Sequence, residues 1–292
     1  MRLACADYTW PAVDHRAALD LIARLGFAGV DVGLFAGGSH LRPEHLATIG
    51  VERLAGQVRE RVETRGLVVA DVFVQLADDF ARYAPSHPDE GVRAEAVRLL
   101  EPALDFAAAV GSGGVTVLPG IAHPDEPWHE SINRAAGTLG AMLRAAEARG
   151  LRLSVEPHVE SIIDTPGRTA ALVAACPGLG LTIDYAHFVC AGATEDDIEP
   201  LLPHVRHVQA RGGAPGLLQA SAAENTIDWA RMVRALTHVG YDGWLTTEYV
   251  WASWRDCDKV DNLTETVCLR DRLRAALSAC QDDTSTPAAG TR

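Results

Sequence analysis

Four segments of this chain end an apolar, partly β-branched run on an oxygen-bearing side chain. "LRLSVEPH" delivers Glu156, "LTIDYAHF" delivers Asp184, "RHVQARGG" delivers Gln209 and "WLTTEY" delivers Glu248. Three of the four are carboxylates. Three like charges gathered away from water would repel one another, and their ionised forms would lose hydration. A divalent cation is the economical compensation. Hard cations such as Mg²⁺ and Mn²⁺ take oxygen ligands in roughly octahedral arrays, so four protein oxygens would leave about two positions for substrate or water. A single carboxylate at a strand end reads more readily as a helix cap or a loop salt bridge. His187, one short turn past Asp184, reads alone as a structural hydrogen-bonder. The series of four is what points to a metal.

Something must bring these strand ends together. Strand patterns fall at 2–6, 29–34, 67–73, 114–118, 151–156, 179–184, 205–210 and 243–248. Between them lie segments with apolar residues at helical spacing, several of which stop at a glycine: Gly26, Gly66, Gly111, Gly150 and Gly240. Thr165 followed by Pro166 reads as an N-cap and first helical position. Eight repeated strand–helix units predict a parallel sheet with right-handed crossovers. In a chain of 292 residues this is an α/β protein of the (β/α)8 TIM barrel kind, a single domain over residues 1–280. An open doubly wound sheet would usually carry a Gly-rich phosphate turn after its first strand, and "DYTWPAVD" has none. In a barrel the C-terminal strand ends converge on one mouth, where such enzymes place their chemistry. The polar, small-residue stretch 281–292 reads as a disordered tail.

Composition narrows the partners. A formal net charge of −13 argues against nucleic acid. No apolar run is long enough to span a bilayer, and the N-terminal stretch lacks a signal-peptide pattern. Six scattered cysteines without a C-x-x-C pair read as reduced thiols in a cytoplasmic protein.

Nearly the whole chain resembles the xylose isomerase-like barrel superfamily, the sugar phosphate isomerase/epimerase group. The resemblance rests on "LGFAGVDV" (25–32), "VEPH" (155–158), "IDYAHF" (183–188), "RHVQARG" (206–212), "TIDWARMVRAL" (226–236) and "GYDGWLTTE" (240–248). It implies one divalent metal held by Glu156, Asp184, Gln209 and Glu248, with His187 contacting the substrate. Most members carry His at the strand-7 ligand position, whereas here the order is His207-Val208-Gln209. We read strand alternation as turning His207 to the barrel exterior, so that Gln209 supplies the ligand through its carbonyl oxygen. Hydroxypyruvate isomerase-like members resemble this chain in that glutamine. An all-oxygen shell favours Mg²⁺ or Mn²⁺ over Zn²⁺.

The implied activity is isomerisation or epimerisation of a sugar or keto-sugar by proton transfer through a metal-stabilised enediolate. By the same resemblance Glu156 and Glu248 would act as base and acid. His158 and Arg211 lie near the mouth as candidate substrate contacts, Arg211 toward a phosphate or carboxylate or as a solvated loop residue. Trp10 is read as an apolar wall against a sugar or as core packing. The long loops after strands 3 and 4 are expected to shape the pocket. "VWASWRDCDKVDN" after Glu248 is read as a pocket wall or an oligomer contact, which leaves a homo-oligomer open. Two other readings share the barrel. One is a lyase or dehydratase on a keto-sugar, inosose or 3-oxo-glycoside, and the other is a non-catalytic carbohydrate-binding protein. A DNA-repair endonuclease of the endonuclease IV type would need more histidines than the strand ends offer.

Overall fold

Short Val-, Leu- and Ile-rich strands alternate with amphipathic helices, and only a closed parallel sheet buries both faces of every strand without leaving an edge. The computed structural model describes residues 1–285 and closes the strands in chain order. They are β1 (Arg2–Ala6), β2 (Gly29–Phe35), β3 (Val68–Gln75), β4 (Gly114–Val117), β5 (Arg152–Val155), β6 (Gly180–Asp184), β7 (Val205–Ala210) and β8 (Trp244–Thr247). All neighbours pair in parallel, and β8 pairs with β1 to complete the ring. The chain is thus a single-domain (β/α)8 TIM barrel, and each expected strand is present to within two residues at either end.

The helices between them are α1 (His15–Arg24), α2 (Pro43–Thr48), α3 (Val51–Glu63), α4 (Glu90–Ala109), α5 (Trp128–Glu147), α6 (Pro166–Ala175), α7 (Tyr185–Cys190), α8 (Glu195–Ile198), α9 (Trp229–His238) and α10 (Asn262–Ser285). Capping residues set their starts: Asp14, Asp89, Thr165 and Asp228 each accept a hydrogen bond from a backbone N–H in the first turn. The three shortest, α2, α7 and α8, carry too few residues for a periodic signal and are not legible in the sequence. The last helix runs to Ser285, so the first five residues of the expected tail are helical; 286–292 lie outside the described residues. No helix among the described residues is long and apolar enough to cross a membrane. No disulfide joins the cysteines among the described residues.

The two faces of the sheet differ in chemistry. Val30, Val32, Val115, Leu153, Leu181, Ile183, Val208 and Leu245 are buried in one core with helix residues such as Leu19, Leu104, Leu139, Leu172 and Leu236. Several of the alternate residues, which point into the barrel, are polar. Asp31 (β2), Thr116 (β4), Thr182 (β6) and Thr246 (β8) come from the even strands, as one layer of a barrel interior should. Thr116 bonds Thr182 and Asp71 at 2.6 Å each, and Thr246 donates to Asp31 at 3.0 Å. His207 belongs to this interior, which corrects the reading that turned it outward. Residues two apart on a strand share a face, so His207 lies below Gln209, and its Nε2 meets Asp31 Oδ2 at 2.6 Å.

Candidate active site

The four oxygen-bearing residues sit side by side at the C-terminal rim. Asp184 closes β6 in register with Gln209 on β7. Glu248 follows β8, its N–H bonded to the carbonyl of Ala210, and Glu156 follows β5, its N–H bonded to the carbonyl of Val117. All four are buried. Asp184 also caps α7, accepting the Ala186 N–H at 2.9 Å, so the helix-cap role and the mouth position belong to the same residue.

Arg211, two residues beyond Gln209 and on the same face, enters the middle of this group. Its Nε donates to Asp184 Oδ2 at 2.7 Å and its Nη2 to Glu248 Oε2 at 2.6 Å, while Glu156 Oε1 lies 3.8 Å away. The side chain is 3% exposed, so it is not a solvated loop arginine. A substrate anion would have to displace one of its carboxylate partners. Gly212 holds the turn that places it: a Cβ there would lie 2.4 Å from the Ala220 carbonyl oxygen, and its N–H bonds Tyr249 Oη.

A second chain of bonds starts at Tyr8, just past β1. Its hydroxyl donates to Glu248 Oε1 at 2.9 Å and accepts from Gln209 Nε2 at 3.0 Å. That fixes the glutamine amide. Gln209 Oε1 is left buried with no hydrogen-bond partner, as is Glu156 Oε1. Three carboxylates against one guanidinium leave two negative charges, the charge of one divalent cation. Burial pushes Glu156 and Glu248 up to about 8, against the pull of Arg211. The leftover charge is met either by protons or by a cation, and the unpartnered oxygens of Glu156 and Gln209 fit a hard divalent ion. Glu156, Asp184 and His187 also bring ligand atoms within 4.8 Å of one another and could hold a metal.

Hydrogen bonding assigns different tasks to the two histidines. His187 Nδ1 accepts the Val159 N–H at 3.2 Å, and its Nε2 lies 3.2 Å from Arg211 Nη2, which can only donate, and 3.4 Å from Glu156 Oε1. His158 is simpler. Its Nδ1 lies 2.7 Å from the Val159 carbonyl, which can only accept, so Nε2 is a bare acceptor, buried and unpartnered. Burial holds both down to about 3, aided by Arg211 at His187 and by the neighbouring imidazole of His187 at His158, and both are neutral near pH 7.

A cavity of about 510 Å³ opens over these groups, lined by Glu156, His158, His187, Arg211 and Glu248. Its walls are aromatic, from Tyr8, Phe35 and Phe73 on one cluster and Phe80, Trp251 and Trp254 from loops. Trp10 is not among them; it packs against the main core. The loop after β3 supplies Asp78, Asp79 and Phe80, whereas the loop after β4 supplies Leu118. The stretch after Glu248 lines the cavity through Val250, Trp251, Ala252 and Trp254. Tyr8 is the functional residue that sequence reasoning missed. Its role depends on a bond 240 residues along the chain, for which a local pattern carries no signal.

The family model of the xylose isomerase-like TIM barrel matches residues 19–272, and the chain belongs to that family. No curated protein matches the sequence. Among solved structures, the chain is similar to an L-ribulose 3-epimerase, with 19% identity, 99% of each chain covered and a TM-score of 0.74. It is similar to the D-psicose 3-epimerase of Clostridium cellulolyticum H10 solved with D-tagatose, with 15% identity, 96% of this chain and 98% of that one covered and a TM-score of 0.73. It is also similar to the IOLI protein with a binding zinc atom, with 15% identity, 95% and 96% covered and a TM-score of 0.71. At these identities the likeness is one of fold.

Proposed function

We propose that this protein is a divalent-metal-dependent isomerase or epimerase of a sugar or keto-sugar. The observation that carries this reading is the set of buried strand-end oxygens with two charges left uncompensated and two oxygens left without partners. Glu156, Asp184, Gln209 and Glu248 are the residues that would hold the ion. Bound there, it would act as a Lewis acid toward the oxygen that gains charge when the adjacent carbon loses its proton. Mn²⁺ or Mg²⁺ suits an all-oxygen set. The likeness to solved sugar epimerases supports the reading.

The chain's own groups divide the rest. Glu156 and Glu248 stand ready to move protons near neutral pH, because burial lifts both out of the usual carboxylate range. They are not equivalent. Glu248 is held by Tyr8 and Arg211, whereas Glu156 Oε1 is the freer atom. We assign Glu156 the more mobile proton. His187 lines the cavity beside Glu156 to contact a substrate oxygen, and His158 Nε2 accepts from a substrate hydroxyl. Arg211 fixes the carboxylates of Asp184 and Glu248 in place.

Elemental analysis of the purified protein before and after Mn²⁺ loading, with Asp184→Ala as control, tests the site. About one ion per chain, lost in the control, followed by interconversion of sugars in a keto-sugar screen, is the expected result. No binding after loading overturns the metal reading and favours a binding protein. Loss of a leaving group from the screened substrate would turn the assignment to a lyase.

A further inference from the structure

We infer that the substrate is a neutral sugar bearing a flat, apolar substituent, an aryl glycoside in chemical class, and that the aromatic arm of the cavity is the subsite for that group. This rests on the sugar isomerase/epimerase reading and narrows its substrate.

Charge makes the first part of the case. The cavity lining holds five carboxylate residues, Asp78, Asp79, Glu156, Glu160 and Glu248, against one cationic side chain, Arg211. Arg211 already donates to Asp184 and Glu248. The nearby Arg255 is tied to Glu160 at 2.5 Å. A phosphate or carboxylate on the substrate would meet an acidic rim with no unengaged Lys or Arg among the described lining residues.

The walls make the second part. Tyr8, Phe35 and Phe73 interlock at ring distances of 4.7–6.3 Å and form a small cluster of their own, separate from the main core. Phe80 and Trp254 meet edge to face at 5.8 Å, and Trp251 stands at the rim, 58% exposed. Aromatic faces of this number and spacing suit a planar partner by offset or edge contact. The volume lies in the range of small-molecule pockets, roughly 300–1,000 Å³, and leaves room for a substituent beside the sugar.

The arm is held in place. Trp254 donates its indole N–H to Glu160 Oε2 at 3.2 Å, and Glu160 joins this clamp from a backbone with φ of 70°. Where the arm meets the polar floor, the His158 ring lies 4.8 Å from Phe80 and presents its unpartnered Nε2. That acceptor suits a hydroxyl of the sugar next to the aryl group.

The test is direct binding of matched p-nitrophenyl and methyl glycosides of several common sugars, with the corresponding sugar phosphates. The probes are saturation-transfer NMR and tryptophan fluorescence on the Mn²⁺-loaded protein. At least a tenfold preference for the aryl member, with saturation on its ring protons, is expected. Trp251→Ala, at an exposed site that folding does not need, and Trp254→Phe should each reduce that preference. Equal affinity for aryl and methyl members, no aryl binding up to solubility, or tighter binding of a sugar phosphate overturns the inference. Because binding is read without turnover, aryl preference without isomerisation or epimerisation keeps the subsite and removes the reaction. Turnover of a free sugar without aryl preference does the reverse.

Discussion

The barrel holds two buried charged groups one layer apart, and they are finished differently. In the middle layer, Asp31 pairs with His207, Thr246 donates to Asp31, and Thr116 donates to Asp71. Burial opposes the charge on His207, but Asp31 and Asp71 outweigh it and hold the imidazole up at about 9; Asp71 itself is pushed up to about 7 by burial. No atom of this group is left buried without a partner. At the mouth, Arg211 answers only part of the charge of Glu156, Asp184 and Glu248, and oxygens of Glu156 and Gln209 have no partner. Both groups are buried and acidic, so burial and charge do not tell structure from function. What separates them is completeness: the middle layer closes on itself, whereas the mouth leaves buried oxygens without a partner.

Removing one partner from the closed group should have the largest effect. His207→Leu leaves the Asp31 carboxylate buried with Thr246 as its remaining donor, and should cost about 3–5 kcal/mol in urea unfolding. A loss below about 1 kcal/mol would show that the middle layer is not a closed network. At the mouth the loss should appear in rate. Glu156→Gln and Glu248→Gln should each lower turnover by about a hundredfold or more, and Glu156→Gln should unfold near the wild-type midpoint. Full activity in either would remove that residue from proton transfer.

The open group also makes a claim about affinity. Gln209→Ala should weaken Mn²⁺ binding by about tenfold or more by calorimetry, and Gln209→His should move preference toward Zn²⁺. Unchanged affinity in both would move the strand-7 ligand elsewhere. The last effect concerns pH in the closed group. Asp71 is raised in the folded state above its ordinary 3.8, so the fold binds its proton more tightly than the unfolded chain does. Its contribution is complete below pH about 4 and is lost as pH rises through about 7. Asp71→Asn should flatten the stability profile over that window relative to wild type, both measured in the same metal buffer. Parallel profiles would mean that Asp71 does not titrate with folding.

Much of the barrel was open to reading in advance because each unit is local. The strand 2–6 and the helix capped by Thr165 are set by neighbours within a few residues. The strand-end oxygens were legible for the same reason, since a residue at the end of a barrel strand has only one place to go. The outward reading of His207 failed because the two-residue period was not carried from Gln209 back to His207. The bond that keeps His207 inside is to Asp31, 176 residues away.

The sequence by itself therefore determined the strand–helix alternation, the closed topology and the line of oxygens at one end. Tertiary structure alone decided that Arg211 enters among the carboxylates, that Tyr8 turns the Gln209 amide, which groups each histidine meets, and which aromatic residues wall the cavity. These depend on contacts between residues far apart in the chain, whose partners are fixed only when the barrel closes and its register brings the loops together.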